Sequence, residues 1–154
     1  MTSEIERKLA DMGVILPDAP APAANYVPYV LSGNMLYVSG QIASNDDGMM
    51  IGKLGDDYTV EQGAEAAKAC AIALLAQVKA ACGGDLDRLV RVVKLGGFVN
   101  STPDFTEQPK VINGASDFMV EILGELGAHA RAAVSAASLP FGVAVEIDGV
   151  FQIA

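Results

Sequence analysis

A chain of 154 residues, 51% hydrophobic and 19% charged, has enough apolar material to bury one sizeable core, which excludes a disordered chain and points to a single globular unit. Its net charge of −9 and pI near 4.4 repel a phosphate backbone, so nucleic acid is not an expected partner. No apolar run reaches the ~18 residues of a membrane span, and the charged start MTSEIERKLADMG holds no secretory core, so no membrane is expected and the expected location is cytoplasmic.

Ser3-Glu4-Ile5-Glu6 has the form of a capping box, opening a short helix that Gly13 stops. Residues 17–28, PDAPAPAANYVP, are too rich in proline for a helix and read as an arm. Residues 1–19 are therefore assigned to an N-terminal helix and arm, ahead of a domain over 20–154. Tyr29-Val30-Leu31, the turn Ser32-Gly33-Asn34 and then Met35 to Ile42 predict a strand pair. Asn45-Asp46-Asp47-Gly48 is a further turn, after which MMIGKL reads as a third strand ending in Gly55-Asp56-Asp57. Thr59 and Gln62 form a second capping box, and helical spacing from Val60 persists to Gly83-Gly84. Cys70 and Cys82 fall on that one helix, too far apart to bridge, and read as buried thiols.

Arg88 to Asn100 alternates like a strand. Pro103 and Pro109 bracket a loop, and residues 111–126 predict an amphipathic helix closed by Gly127. Two strands follow, at about 130–138 and 143–153. The order argues for an α+β fold, a mixed β-sheet with two helices packed on one face. The uncovered face would still be rich in valine, alanine and tyrosine, and self-association is the simplest way to bury it.

The last segment, HARAAVSAASLPFGVAVEIDGVFQIA, keeps one arginine and one glutamate, Arg131 and Glu146, within an apolar stretch. Burying an unpaired charge costs several kcal/mol, and arginine cannot escape by deprotonating. These residues are either paired with each other or awaiting a charged ligand. If the last two strands form a hairpin about residues 138–142, Arg131 and Glu146 sit nearly opposite and could be a structural ion pair. They could equally face across a subunit seam.

Three segments together resemble the RidA/YjgF family of reactive-intermediate deaminases, also labelled endoribonuclease L-PSP. They are Pro28-Tyr29 leading into Leu36-Tyr37-Val38-Ser39-Gly40-Gln41-Ile42, then Ile112-Asn113-Gly114-Ala115, then Arg131 through Glu146. The N-terminal helix and the loop at 101–110 look like the longer branch of that family. The resemblance implies the YjgF-like (chorismate-mutase-like) fold and a homotrimer, with three sheets forming a central barrel and ligand clefts between subunits. It also implies hydrolysis of reactive 2-imino or enamine acids to 2-keto acids and ammonia, with no metal or organic cofactor.

On that reading Arg131 binds the carboxylate of a small metabolite, its planar fork being matched to bidentate recognition. Glu146 orients or deprotonates the attacking water, and Tyr29 holds substrate or water through its hydroxyl. Asn113, Ser39, Gly40 and Ala133 line the substrate site, with Gly40 allowing close backbone approach. Taken alone, Tyr29 reads as a half-buried strand aromatic, Asn113 as a helix-start cap and His129 as a loop or rim residue. Ala132 and Ala133 stand where family members often carry serine or cysteine. Two rival readings are a non-catalytic protein that senses or carries a small acid on the same scaffold, and a related hydrolase acting on an amide or carbamate.

Overall fold

The computed structural model describes residues 3–19 and 25–154, so part of the expected arm, residues 20–24, lies outside the described residues. The first helix, α1 (Glu4–Asp11), starts where the hydroxyl of Ser3 accepts from the Glu6 N–H. The Glu6 carboxylate turns to Lys79 and forms an ion pair. Asp87 caps the same helix end from afar, accepting from the N–H groups of Glu4 and Ile5 at 2.9 and 3.1 Å. The expected strand pair is present as β1 (Tyr29–Ser32) and β2 (Met35–Ile42), antiparallel across a tight turn.

The expected third strand is much shorter than MMIGKL. A two-residue hairpin, β3 (Ser44–Asn45) with β4 (Gly48–Met49), gives way to isolated bridges at Ile51 and Leu54. The segment is held irregular by a side-chain bond, Lys53 N–H to Asp57 Oδ1 at 2.7 Å, and by Gly52, which lies flat under the Tyr58 ring. Thr59 and Gln62 complete a reciprocal capping box for α2 (Val60–Ala81). Strand β5 (Leu89–Asn100) and helix α3 (Gln108–Leu123) follow. Pro109 lies inside the first turn of α3 and not in the loop it was expected to bracket, because proline is tolerated where the helical N–H has no partner anyway.

The last strands, β6 (Ala130–Ala136) and β7 (Val145–Ile153), are not a hairpin. The sheet order is β1-β2-β7-β5-β6, with β6 parallel to β5 and β7 antiparallel to it. Helix α3 acts as a crossover that brings β6 back parallel beside β5. The Leu139-Pro140-Phe141-Gly142 turn then carries the chain past the end of β5 to its other edge, where Asn100 N–H bonds Ala144 O at 2.9 Å and Ser101 N–H bonds Ala136 O at 3.3 Å. The reversal places Phe141 at φ 59° and Gly142 at φ 77°, and for phenylalanine that left-handed backbone costs about 1–2 kcal/mol.

Helices α2 and α3 cover one sheet face. Leu36, Val38, Val92, Leu95, Val99, Val145, Ile147 and Phe151 meet Ala67, Ala71, Leu74, Ile112, Ala115 and Met119, all buried. Each large aliphatic side chain so buried contributes ~1.5–3 kcal/mol. Small residues let the layers close: a Cβ on Gly114 would run into the Ala64 carbonyl, and one on Gly97 would lie 2.6 Å from Ile112 Cδ1. The opposite sheet face is open and carries apolar side chains, with Val30, Tyr37 and Val134 exposed at 53%, 50% and 47%. Cys70 and Cys82 are free and buried, their thiols pushed up by burial. No helix among the described residues is long and apolar enough to cross a membrane.

Candidate functional site

Strand β6 is the sheet edge, and alternation decides where its side chains go. Arg131 is in register with the buried Leu95, so it points to the helix-covered face and runs along α3. There its Nη1 donates to Asn113 Oδ1 at 2.8 Å and to Ser116 Oγ at 3.0 Å, and its Nη2 to the Pro109 carbonyl at 3.4 Å. Asn113 and Ser116, three apart on a helix, share the face that receives it. Ser116 Oγ also lies 2.9 Å from His129 Nε2, whose Nδ1 is 2.6 Å from Gly127 O. All of these partners are neutral, and the ion pairs among the described residues are Lys79–Glu6 and Lys110–Glu107. The guanidinium is thus oriented without a counter-charge. Nη1 gives both of its protons and Nη2 one, so Nε and the second proton of Nη2 are left for a bidentate carboxylate.

Glu146 belongs to a different environment. Its neighbours Val145 and Ile147 are fully buried beneath the helices, so Glu146 projects from the open face, in register with Ile42 and Phe98. Its carboxylate lies over the backbone of Gly40, where an added Cβ would sit 2.5 Å from Oε2. Partial burial pushes the Glu146 carboxyl above the ordinary glutamate range, and the nearby charge of Asp148 adds to the shift. A register shift between Val38 and Gln41 shapes the adjoining backbone. The Ser39 hydroxyl holds it by donating to Val27 O at 2.8 Å, and the Gln41 amide by donating to Ser39 O at 2.9 Å. Tyr29 pairs with Val38 beside this segment and packs against the core.

The family model described as "YjgF/chorismate mutase-like, putative endoribonuclease" matches residues 6–147. The chain belongs to this family. It is 52% identical to Protein TCP17 of Trypanosoma cruzi over 99% of this chain and 96% of that protein. The crystal structure of Atu1372 from Agrobacterium tumefaciens, a protein described as of unknown function, is 51% identical over 97% of this chain and 92% of that one, with a TM-score of 0.91. A structure described as a putative endoribonuclease from Shewanella oneidensis MR-1 is 33% identical over 99% of this chain and all of that one, 100%, again at TM-score 0.91.

Within this YjgF-type chain the expected site residues separate into two groups. Arg131, Asn113 and Ala133 lie together: Ala133 is two residues beyond Arg131 on the same strand face, in register with Gly97. Glu146, Gly40, Ser39 and Tyr29 lie toward the β1-β2 edge. The simple hairpin ion pair is overturned, because β5 separates β6 from β7 and the two charges leave opposite faces. Asn113 is no helix-start cap either, since α3 begins at Gln108; its side chain goes to Arg131. His129 lies in the loop ahead of β6, as expected, and is bonded on both ring nitrogens. A surface cleft of about 630 Å³ is lined by Met35, Arg91, Val93, Ala128, His129, Ala130 and Gln152. It contains neither Arg131 nor Glu146.

Sequence reading missed Ser116, Pro109 and Asp148. The i, i+3 spacing from Asn113 could have flagged Ser116, and the i, i+2 spacing from Glu146 on one strand face could have flagged Asp148. Nothing in the sequence could have signalled a backbone carbonyl such as that of Pro109.

Proposed function

We propose that this chain hydrolyses small 2-imino acids to 2-keto acids and ammonia, at sites shared between protomers of a homotrimer. The observation that carries this reading is the Arg131 guanidinium, fixed by neutral partners and left with an open side-on edge. An uncompensated, pre-oriented fork of this kind fits a carboxylate. The opposite faces of Arg131 and Glu146 keep one protomer from presenting both to one small molecule. In the proposed assembly the β6 edge that carries Arg131 of one subunit lies against the open face that carries Glu146 of the next.

In such a cleft Arg131 binds the substrate carboxylate while Asn113 and Ser116 hold the guanidinium plane. The iminium carbon is already electrophilic, so positioning and electrostatics supply most of the catalysis. Glu146, its carboxyl raised above the ordinary glutamate range by burial and Asp148, takes a proton from water as the water oxygen bonds to that carbon. The carbinolamine that results gains the proton on nitrogen. Its C–N bond then breaks as Glu146 takes the hydroxyl proton and the oxygen lone pair forms the C=O bond, releasing ammonia and leaving the 2-keto acid. Tyr29 orients water or substrate, and Gly40 keeps space beside the Glu146 carboxylate. The cycle closes without a metal or organic cofactor.

The test couples an amino-acid oxidase, generating 2-iminopropanoate or 2-iminobutanoate, to semicarbazide as competing trap. Wild-type protein suppresses semicarbazone formation and Arg131→Ala does not. No suppression by folded wild-type protein would refute the activity.

A further inference from the structure

The single histidine of the chain, His129, is tied to the arginine by a directional hydrogen-bond chain. Its Nδ1 is 2.6 Å from the Gly127 carbonyl oxygen. A carbonyl only accepts, so the ring proton sits on Nδ1, and in the neutral imidazole Nε2 carries a lone pair. Ser116 Oγ, 2.9 Å away, must then donate its proton to Nε2. That leaves the serine lone pairs for Arg131 Nη1 at 3.0 Å. Donation runs from Arg131 to Ser116 to His129 to Gly127 without conflict. The far anchor is rigid backbone, because Gly127 is buried against the Met119 carbonyl and has no room for a Cβ.

The chain matters because of what a serine in mid-helix otherwise does. Its hydroxyl commonly back-bonds to the carbonyl one turn earlier. With the imidazole drawing its proton outward, the lone pairs are presented to the guanidinium. We propose that His129 is a positioning residue which, through Ser116, fixes the plane of Arg131 so that the Nε edge faces the substrate carboxylate, and so sets carboxylate affinity. This rests on the reading of Arg131 as the carboxylate receptor. A serine bonded to an oriented imidazole also has the form of an activated nucleophile. Here, however, the serine oxygen accepts from a cation, which lowers its nucleophilicity, and hydrolysis of an imine needs no acyl-enzyme.

The experiment measures kcat and KM for 2-iminobutanoate, together with calorimetric Kd for 2-oxobutanoate, on the full chain. Ser116→Ala and His129→Ala are expected to raise both KM and Kd about 3- to 10-fold, the scale of one lost hydrogen bond, with kcat within about twofold of wild type. Ser116→Thr, which keeps the hydroxyl, and His129→Gln, which returns an acceptor, are expected to recover most of the affinity. The Ser116 pair carries the test alone if His129→Ala does not fold. Unchanged Kd in Ser116→Ala and His129→Ala, with Kd still weakened in Arg131→Ala, overturns the positioning role alone. Collapse of kcat at unchanged Kd, with Ser116 labelled by a fluorophosphonate, overturns it in favour of a nucleophile. Unchanged Kd in Arg131→Ala sinks the carboxylate reading and the positioning role with it.

Discussion

Arg131 and Glu146 leave opposite faces of one sheet, with β5 between their strands. Arg131 reaches up beside α3, and Glu146 lies over Gly40 on the uncovered face. Neither charge forms an ion pair among the described residues.

Arg131→Lys is expected to lower kcat/KM more than tenfold. The guanidinium uses Nη1 to bind Asn113 and Ser116 at 2.8 and 3.0 Å while keeping its Nε edge for substrate. An ammonium is a single donor centre and cannot keep both sets of contacts. Steady-state kinetics on the two proteins decides it, and near-wild-type activity in the lysine variant would remove the bidentate role.

Because burial and Asp148 raise the Glu146 carboxyl, the folded protein holds this proton more tightly than the unfolded chain. Stability from this group is present at pH below the ordinary glutamate value and is lost as pH rises through the raised one. Glu146→Gln should accordingly raise Tm at pH 7, with the gain vanishing in acid. Activity has the opposite sign, since the base must be ionised. In wild type kcat should fall as pH drops through a value above the ordinary carboxylate range. Glu146→Gln should be slow at every pH, and a wild-type profile flat down to the ordinary glutamate range would exclude the carboxylate as base.

Gly40→Ala places a methyl group 2.5 Å from the present position of Glu146 Oε2. Either the carboxylate or the backbone must move. A shift of about 1 Å at a catalytic group can cost up to ~100-fold in rate, so kcat should fall by at least about tenfold while thermal melting changes little. A kcat equal to wild type would show that the carboxylate position is not critical.

Where α3 crosses α2, Gly114 has no room for a Cβ against the Ala64 carbonyl. Gly114→Ala must push the helices apart, and overpacking of this kind costs about 1–3 kcal/mol. Because α3 carries Asn113 and Ser116, carboxylate affinity should weaken along with Tm. Urea denaturation beside 2-oxobutanoate titration measures both, and an unperturbed variant would mean that the helices have slack at this crossing.

Periodicity and caps made most of the fold legible. The Thr59–Gln62 box and Gly83-Gly84 marked α2 to within two residues, and alternation marked β2 and β5. The order of the last strands was not legible, because 137–144 looks locally like a hairpin loop. What makes it a crossing is pairing on both edges at the end of β5, a long-range relation. The candidate site followed the same division. Residue types at Arg131, Glu146 and Asn113 could be picked out along the chain, but the face each occupies follows from the strand order. The His129–Ser116 link spans a helix and a strand edge that only the folded protein brings together.

The shared-site account is tested most directly by mixing subunits. Arg131→Ala and Glu146→Gln proteins, each inactive alone, would be unfolded together, refolded in equal amounts and assayed for imine hydrolysis. If Arg131 and Glu146 of one site come from different protomers, about a quarter of the sites in randomly mixed rings regain both residues and activity returns. If both residues of a site come from the same protomer, no mixture restores a complete site. Mixed rings as inactive as the parents would contradict the account.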